Sequence, residues 1–393
     1  MIRELARRVA HPLGLMRGRE RFEAIGALAR SGPTPLVMDP EAAGRERLRI
    51  AVLVPPFVRG SGGLATILAL VRALAARGHG CSLWLEDPHR RAPERRGSVE
   101  RRLREHFGSV PAEVHSGFSA WTGAHVVVAS GWETAARALL LPGCSARAYL
   151  VQDYEPDFFP ASAEARWAEQ TYERGLFHVT AGPWLAGLLR ERFGARAEWF
   201  PLGVDHGLYH AGGGGRRDDT VVVYARRATP RRAVPLALLA LAELHRRRGH
   251  LRLVLFGEEH PMRTSFPYEH AGVLPEPELA GLYREATVGV SLSLTNYSRV
   301  SQEMLACGLP CVELDTPSVR AALGGEDALT LAPFDPVGLA GAIEELLDDP
   351  GLRAERGEAG RRLVADRTWD KAGEQLERCL REALAAAQTN VPE

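Results

Sequence analysis

Lysine is all but missing from this chain: among 49 residues counted as Lys plus Arg, Lys371 is the only lysine. The positive charge therefore rides on guanidinium groups, which stay protonated near neutral pH and grip planar anions with two N–H groups at once. Net charge is missing too, since 49 Asp plus Glu balance the basic residues. No bulk field argues for nucleic acid, and small-molecule partners fit better. Cysteine is scarce, and Cys81, Cys144, Cys307, Cys311 and Cys379 form no C-x-x-C pair. That excludes a zinc ribbon and reads as buried thiols in a reducing cytoplasm.

Long apolar runs are absent as well. A membrane-spanning helix needs roughly 18–20 apolar residues, and Arg72 interrupts one stretch while Glu243 ends another. The opening "MIRELARRVAHPLGLMRGRERF" has no signal-peptide core. Its weak apolar face, with charge on both sides, suits a surface helix or a weak peripheral contact with an anionic membrane face. The chain reads as cytoplasmic. His125, His178, His206 and His210 fall into no ligand spacing, and Ser130 in "VASGWETA" lies outside a G-x-S-x-G elbow. A metalloprotease and a hydrolase triad both lack an anchor.

What is there repeats an architecture. "LRIAVLVPPFVRGSGGLATILALVRALAARGHGCSLWLED" reads as strand, Gly-rich turn, amphipathic helix and strand, and "TVVVYARRATPRRAVPLALLALAELHRRRGHLRLVLFGEE" follows the same order. Two such βαβ crossovers predict two Rossmann-like parallel-sheet domains, each with the loop after its first strand at the carboxyl edge. The Gly run in "YHAGGGGRRDDT" marks a boundary and hinge. The predicted division is a helical extension over 1–47, a first domain over 48–211, a linker over 212–219, a second domain over 220–365, and a C-terminal helix over 366–393 packing back on the first. A cleft between the two sheets is expected.

Four stretches carry chemistry. In "GSGGLA" the backbone at Gly60, Gly62 and Gly63 can approach an anion, and the run also satisfies the dinucleotide pattern G-x-G-x-x-A, with Glu86 and Asp87 after the next strand. In the second domain "ARRATPRRA" puts Arg226, Arg227, Arg231 and Arg232 at a strand end, suited to a diphosphate. "YLVQDYEPDFFP" places Asp153, Glu155 and Asp157 past a strand, where a carboxylate can take a proton from an incoming hydroxyl. Pro156 bends that run and no His stands beside it, so a metal site is not expected. "SLTNYSRVSQEMLACGLP" passes from strand to helix and places Glu303 in what reads as the first helical turn. There it is either a dipole partner or the acceptor for ribose hydroxyls beside a bound phosphate.

Together these residues resemble the retaining-type nucleotide-sugar glycosyltransferases of the large family four, which have the two-domain GT-B fold. The resemblance runs from Leu48 to about Trp369 and is closest to the bacterial rhamnosyltransferase branch that builds surface glycans. It rests on "GSGG", on "PLGVDHGLY" for the N-G-V-D segment, on "YARRATPRR" for the R-x4-K pair, on "GVLPEPELAGLYREA", and on "QEMLACGLPCVEL" for E-A-M-A-C-G-x-P-V-V. "VQDYEPDFFP" and "GPWLAGLLRERFG" resemble the rhamnosyltransferase branch in particular. Glu303 then matches the second glutamate of the E-x7-E motif, Thr295 stands where the first should be, Arg231 replaces the lysine, and Gln152 with Asp153 replace the usual histidine.

The resemblance implies transfer of a hexosyl or deoxyhexosyl group, with rhamnosyl from a dTDP donor among the choices, to a hydroxyl of a glycan, a lipid-linked glycan or a small natural product. It implies Asp153 as base with Glu155 second. It implies diphosphate contacts from Gly62, Gly63, Arg226, Arg231, Val300 and Ser301, and ribose contact from Glu303. Thr295, Asn296, Tyr297 and Ser298 would meet the donor sugar, and Gly257, Val273 and Leu274 the nucleobase. Trp132, Glu133, Thr134 and Tyr154 would meet the acceptor. No metal or cofactor is expected, because arginines and a helix start supply the positive charge. Rival readings are an NAD(P)-dependent oxidoreductase, from the G-x-G-x-x-A match, and a non-catalytic nucleotide-sugar binder, from Thr295.

Overall fold

The computed structural model describes residues 22–57, 59–85, 96–212, 215–324 and 327–389. The weakly amphipathic start over 1–21, Glu86 and Asp87, and the middle of the Gly run lie outside the described residues.

In chain order the elements are α1 (Glu23–Ser31), β1 (Arg49–Val54), α2 (Gly62–Ala76), β2 (Gly80–Leu85), α3 (Arg96–Phe107), β3 (Glu113–Ser116), β4 (Ala124–Ala129), α4 (Trp132–Leu140), β5 (Cys144–Val151), α5 (Ala163–Thr171), β6 (Phe177–Ala181), α6 (Pro183–Phe193) and β7 (Ala197–Phe200). There follow β8 (Thr220–Tyr224), α7 (Val234–Arg247), β9 (Arg252–Phe256), β10 (Glu269–Gly272), α8 (Glu276–Glu285), β11 (Val288–Val290), α9 (Arg299–Ala306), β12 (Cys311–Leu314), α10 (Pro317–Leu323), β13 (Leu329–Ala332), α11 (Pro336–Asp348), α12 (Pro350–Val364) and α13 (Trp369–Thr389).

The strands make two parallel sheets, ordered β3-β2-β1-β4-β5-β6-β7 and β10-β9-β8-β11-β12-β13. Their sequences are near-continuous apolar runs, as strands covered on both faces require: β1 reads RIAVLV with all but its first residue buried. Prolines start helices rather than break them. Pro183, Pro317, Pro336 and Pro350 each open one, a position that needs no backbone N–H. Thr316 and Asp349 cap two of these starts with their side-chain oxygens.

Two compact units result: one holds Met1–Leu150, Arg166–Phe177 and Arg378–Glu393, the other Val151–Ala165 and His178–Glu377. Within the first, Arg381 near the end of α13 donates to the carbonyls of Ala43 (2.9 Å) and Arg45 (2.8 Å). Within the second, Val221, Val223, Leu253, Leu255, Val288 and Val312 of the sheet bury against Ala237, Leu241 and Leu244 of α7 and Leu339, Ile343 and Leu346 of α11. All five cysteines are buried and none is in a disulfide. Among the described residues no helix is long and apolar enough to cross a membrane.

Candidate active site

In the second sheet the strand order reverses between β8 and β11. Loops leaving neighbouring strands in opposite directions open a crevice at the carboxyl edge, the usual place for a ligand in such sheets. The arginine loop follows β8 and the 291–298 segment follows β11, so both flank this switch point. They are tied together: Leu294 N donates to the Arg231 carbonyl (3.0 Å) and Arg232 Nη1 to Ser293 Oγ (2.7 Å). The arginine loop ends on Ala233, whose φ of 45° is left-handed without being glycine, a local strain of the kind that accumulates at functional loops.

Asp153 is buried in the second unit and fully engaged. Its Oδ1 accepts from the amides of Tyr154 (2.9 Å) and Asn296 (3.0 Å), and its Oδ2 lies 2.6 Å from Arg231 Nε in an ion pair. Arg231 Cζ also stands 4.2 Å from the Phe158 ring centre, and burial lowers the Arg231 pKa, with Asp153 opposing. The predicted base and the predicted phosphate ligand thus neutralise each other in this arrangement. Glu155 is buried in the short 3-10 turn Glu155–Phe158, and Asp157 is exposed. Among the described residues no group of three or more His, Cys, Asp or Glu side chains comes together as a metal-ligand set.

Helix α9 begins at Arg299 with Ser298 as its cap, whose Oγ accepts from Val300 N (3.2 Å). Glu303 is therefore the fifth helical residue, one turn later than the sequence pattern suggested. The first turn carries no acidic residue, and dipole stabilisation fades beyond that turn. What holds Glu303 instead is Arg299, Nε to Oε1 at 2.8 Å. Glu303 is 3% exposed. Burial pushes its carboxyl up to about 7 against the opposing charge of Arg299.

Sequence reasoning missed a second buried carboxylate, Glu313 on β12. Its Oε1 accepts from Ser293 Oγ (2.9 Å) and Ser301 Oγ (2.7 Å), and its Oε2 from Leu314 N (3.1 Å). Burial raises it to about 7, opposed by Ser301 and Arg232. The signals were a lone charge in the apolar strand "PCVEL" and, for Arg299, its spacing of four from Glu303.

Several predicted contacts have their polar atoms committed elsewhere. Asn296 Nδ2 donates to the carbonyls of Gln152 (2.9 Å) and Ala181 (2.6 Å), and Tyr297 Oη accepts from Leu202 N (3.2 Å). Tyr297 also lies so close to Gly182 that a Cβ there would stand 2.6 Å from its Cε1. Both residues brace the strand-end loops, although Thr295 Oγ1 and Asn296 Oδ1 are buried without a partner. Ser301 is fully buried. In the first unit Trp132 is buried beside Phe22 (6.4 Å between ring centres) and Thr134 is buried with its hydroxyl accepting from Ser130 N (3.0 Å). Glu133 between them is half-buried, and Tyr154 is buried with Arg192 5.5 Å from its ring centre.

Other expected contacts remain accessible. Gly62 and Gly63 open α2 as exposed backbone behind the Ser61 cap. Arg226, Val273 and Leu274 are half-buried. Gly257 adopts φ +91°, and a Cβ there would meet the Tyr224 ring at 2.6 Å, so only glycine fits this turn after β9.

Residues 219–349 match the family model described as "Glycosyl transferases group 1". The O-antigen biosynthesis protein RfbC of Myxococcus xanthus is 31% identical over 253 residues, 62% of this chain and 20% of that protein. D-inositol 3-phosphate glycosyltransferase of Acidothermus cellulolyticus is 31% identical over 192 residues, 43% of this chain and 42% of that protein. The chain thus spans less than half the length of either relative. Anabaena HepE, solved in complex with UDP-glucose, superposes with a TM-score of 0.62 over 86% of this chain and 100% of its own, at 15% identity. The shared architecture is the GT-B type with two parallel-sheet α/β domains.

Proposed function

We propose that this chain is a glycosyltransferase that moves a hexosyl or deoxyhexosyl group, rhamnosyl included, from a nucleoside diphosphate to an acceptor hydroxyl. The acceptor belongs to a glycan, a lipid-linked glycan or a small natural product. The observation that carries the reading is Glu303. It is a buried carboxylate held by Arg299, one turn behind a capped helix start, beside a sheet switch point. A helix start leaves N–H groups without intrahelical acceptors and favours phosphate, and a carboxylate next to bound phosphate accepts ribose hydroxyls. The family match over the same residues and the relatives' names support it.

In this proposal Arg226, Arg231 and the α9 amides stabilise the negative charge that grows on the leaving diphosphate, the work a metal ion does elsewhere. Arg231 cannot serve the diphosphate and Asp153 fully at once. An arriving donor draws Arg231 off Asp153 Oδ2, which frees that oxygen to take the acceptor proton. Glu155 is the second choice, and the half-buried Gly257, Val273 and Leu274 are assigned to the nucleobase.

The experiment is thermal stabilisation at pH 8, where Glu303 is ionised, by dTDP, UDP, GDP and ADP beside NAD and NADP, without added metal. One diphosphate should raise the melting temperature by about 5 °C at a hundredfold excess over its Kd. Arg226→Ala and Glu303→Ala should abolish the rise, whereas Asp153→Asn should keep it and lose turnover by about 10²-fold or more. A rise with NAD or NADP alone would move the reading to an oxidoreductase.

A further inference from the structure

A cavity of about 280 Å³ opens in the second unit beyond Cys307, at the end of α9 opposite its capped start. With eight residues, α9 sets its two ends about 12 Å apart. Arg216, Arg284, Arg353 and Arg361 line the cavity, and Glu358 is the single carboxylate in the lining among the described residues.

Part of this charge has structural work. Arg216 Nη1 donates to the carbonyls of Tyr283 (2.9 Å) and Ala286 (2.8 Å), and its Nη2 to that of Cys307 (2.9 Å). Arg353 Nη1 meets the carbonyls of Leu346 (2.8 Å) and Leu347 (2.7 Å), and Arg284 Nη1 that of Leu208 (3.1 Å). The contacts of Arg216 and Arg353 finish helix ends, whose negative dipole poles offset part of the charge, but they leave some N–H groups of each guanidinium unused and the lining net positive. Glu358 cancels one, and it is shared between Arg361 and Arg362. The arginines also converge. A Cβ on Gly308 would stand 3.4 Å from Arg361 Cδ and 3.6 Å from Arg216 Nη2. Burial first, and Arg361 after it, hold the Arg216 pKa below its ordinary value.

Like charges gathered in a partly enclosed space repel unless an anion joins them. We propose that this cavity is a second anion site, for a small phosphate-bearing molecule gripped by Arg216, Arg284, Arg353 and Arg361. Guanidinium forks match phosphate oxygens in bidentate fashion. A phosphomonoester in solution and a phospholipid headgroup both offer anionic phosphate oxygens, the first as a monoester and the second as a diester.

The test is calorimetric titration of the whole chain with glycerol 3-phosphate, together with cosedimentation on phosphatidylglycerol vesicles. Ala354→Glu adds a carboxylate to the lining at an exposed position without touching a capping arginine. It should weaken binding at least tenfold while leaving the nucleoside-diphosphate response at the α9 start intact. Arg361→Gln, also exposed, should weaken it in the same direction and serves if the first variant does not fold. Heat with the soluble ester marks a free ligand, and binding to vesicles alone marks a headgroup, each provided the variants abolish it. The proposal falls if neither probe binds at millimolar concentration, or if both variants bind as the parent does. Neither result touches the donor reading, which is tested by other ligands and other residues.

Discussion

Glu303 and Glu313 are both buried carboxylates raised to about 7, yet different groups hold them. Glu303 has a cation, Arg299, whereas Glu313 has hydroxyls and an amide, with Arg232 reaching it through Ser293. For an acid whose folded pKa exceeds its unfolded one, stability is complete below the unfolded value and is lost as pH rises through the folded value. Glu313 should therefore cost the fold stability between about pH 4.5 and pH 7, on the order of 3 kcal/mol at most. Glu313→Gln cannot ionise and keeps one acceptor oxygen. Denaturant unfolding should find the variant gaining on the parent from pH 5 to pH 8. An unchanged difference would mean Glu313 is already ionised in the fold across that range, with its pKa not raised above the unfolded value.

Helix α9 is placed by glycines on its neighbours. A Cβ on Gly289 of β11 would meet Met304 Sδ at 2.7 Å, and one on Gly360 of α12 would meet Leu305 Cδ2 at 2.6 Å. The helix thus lies against backbone on two sides, which fixes where its capped start points. Gly289→Ala should push α9 outward and cost about 1–3 kcal/mol, read as a lower urea midpoint at unchanged slope. If the helix start binds the diphosphate, donor KM should rise in the same variant. A stability loss with unchanged KM would show that the start of α9 tolerates displacement. The end of β11 belongs here too. "VGVSLSL" reads as one alternating strand, but the strand stops at Val290, because the residues beyond turn to reach Arg231, Arg232 and Glu313.

The whole chain carries no net charge at pH 7, and a protein without net charge lacks the long-range repulsion that keeps copies apart. Static light scattering at low salt should show self-association strongest near neutral pH and weaker at pH 9. A profile that does not change with pH would show that net charge does not govern its self-association.

The strand and helix order was legible in the residues because apolar periodicity, glycine turns and proline starts are local signals, and the two βαβ openings fall where the pattern put them. The glycosyl transferase likeness was legible for the same reason, since "QEMLACGLP" is one continuous stretch. The tertiary structure alone decided the partners. Asp153 meets Arg231, Glu313 collects two serine hydroxyls, Asn296 and Tyr297 turn inward to brace loops, and four arginines converge beyond Cys307. Each of these joins residues far apart in sequence. Burial and neighbouring charge, which no local pattern encodes, determine whether a carboxylate there is a base, a brace or a buffer for a nearby cation.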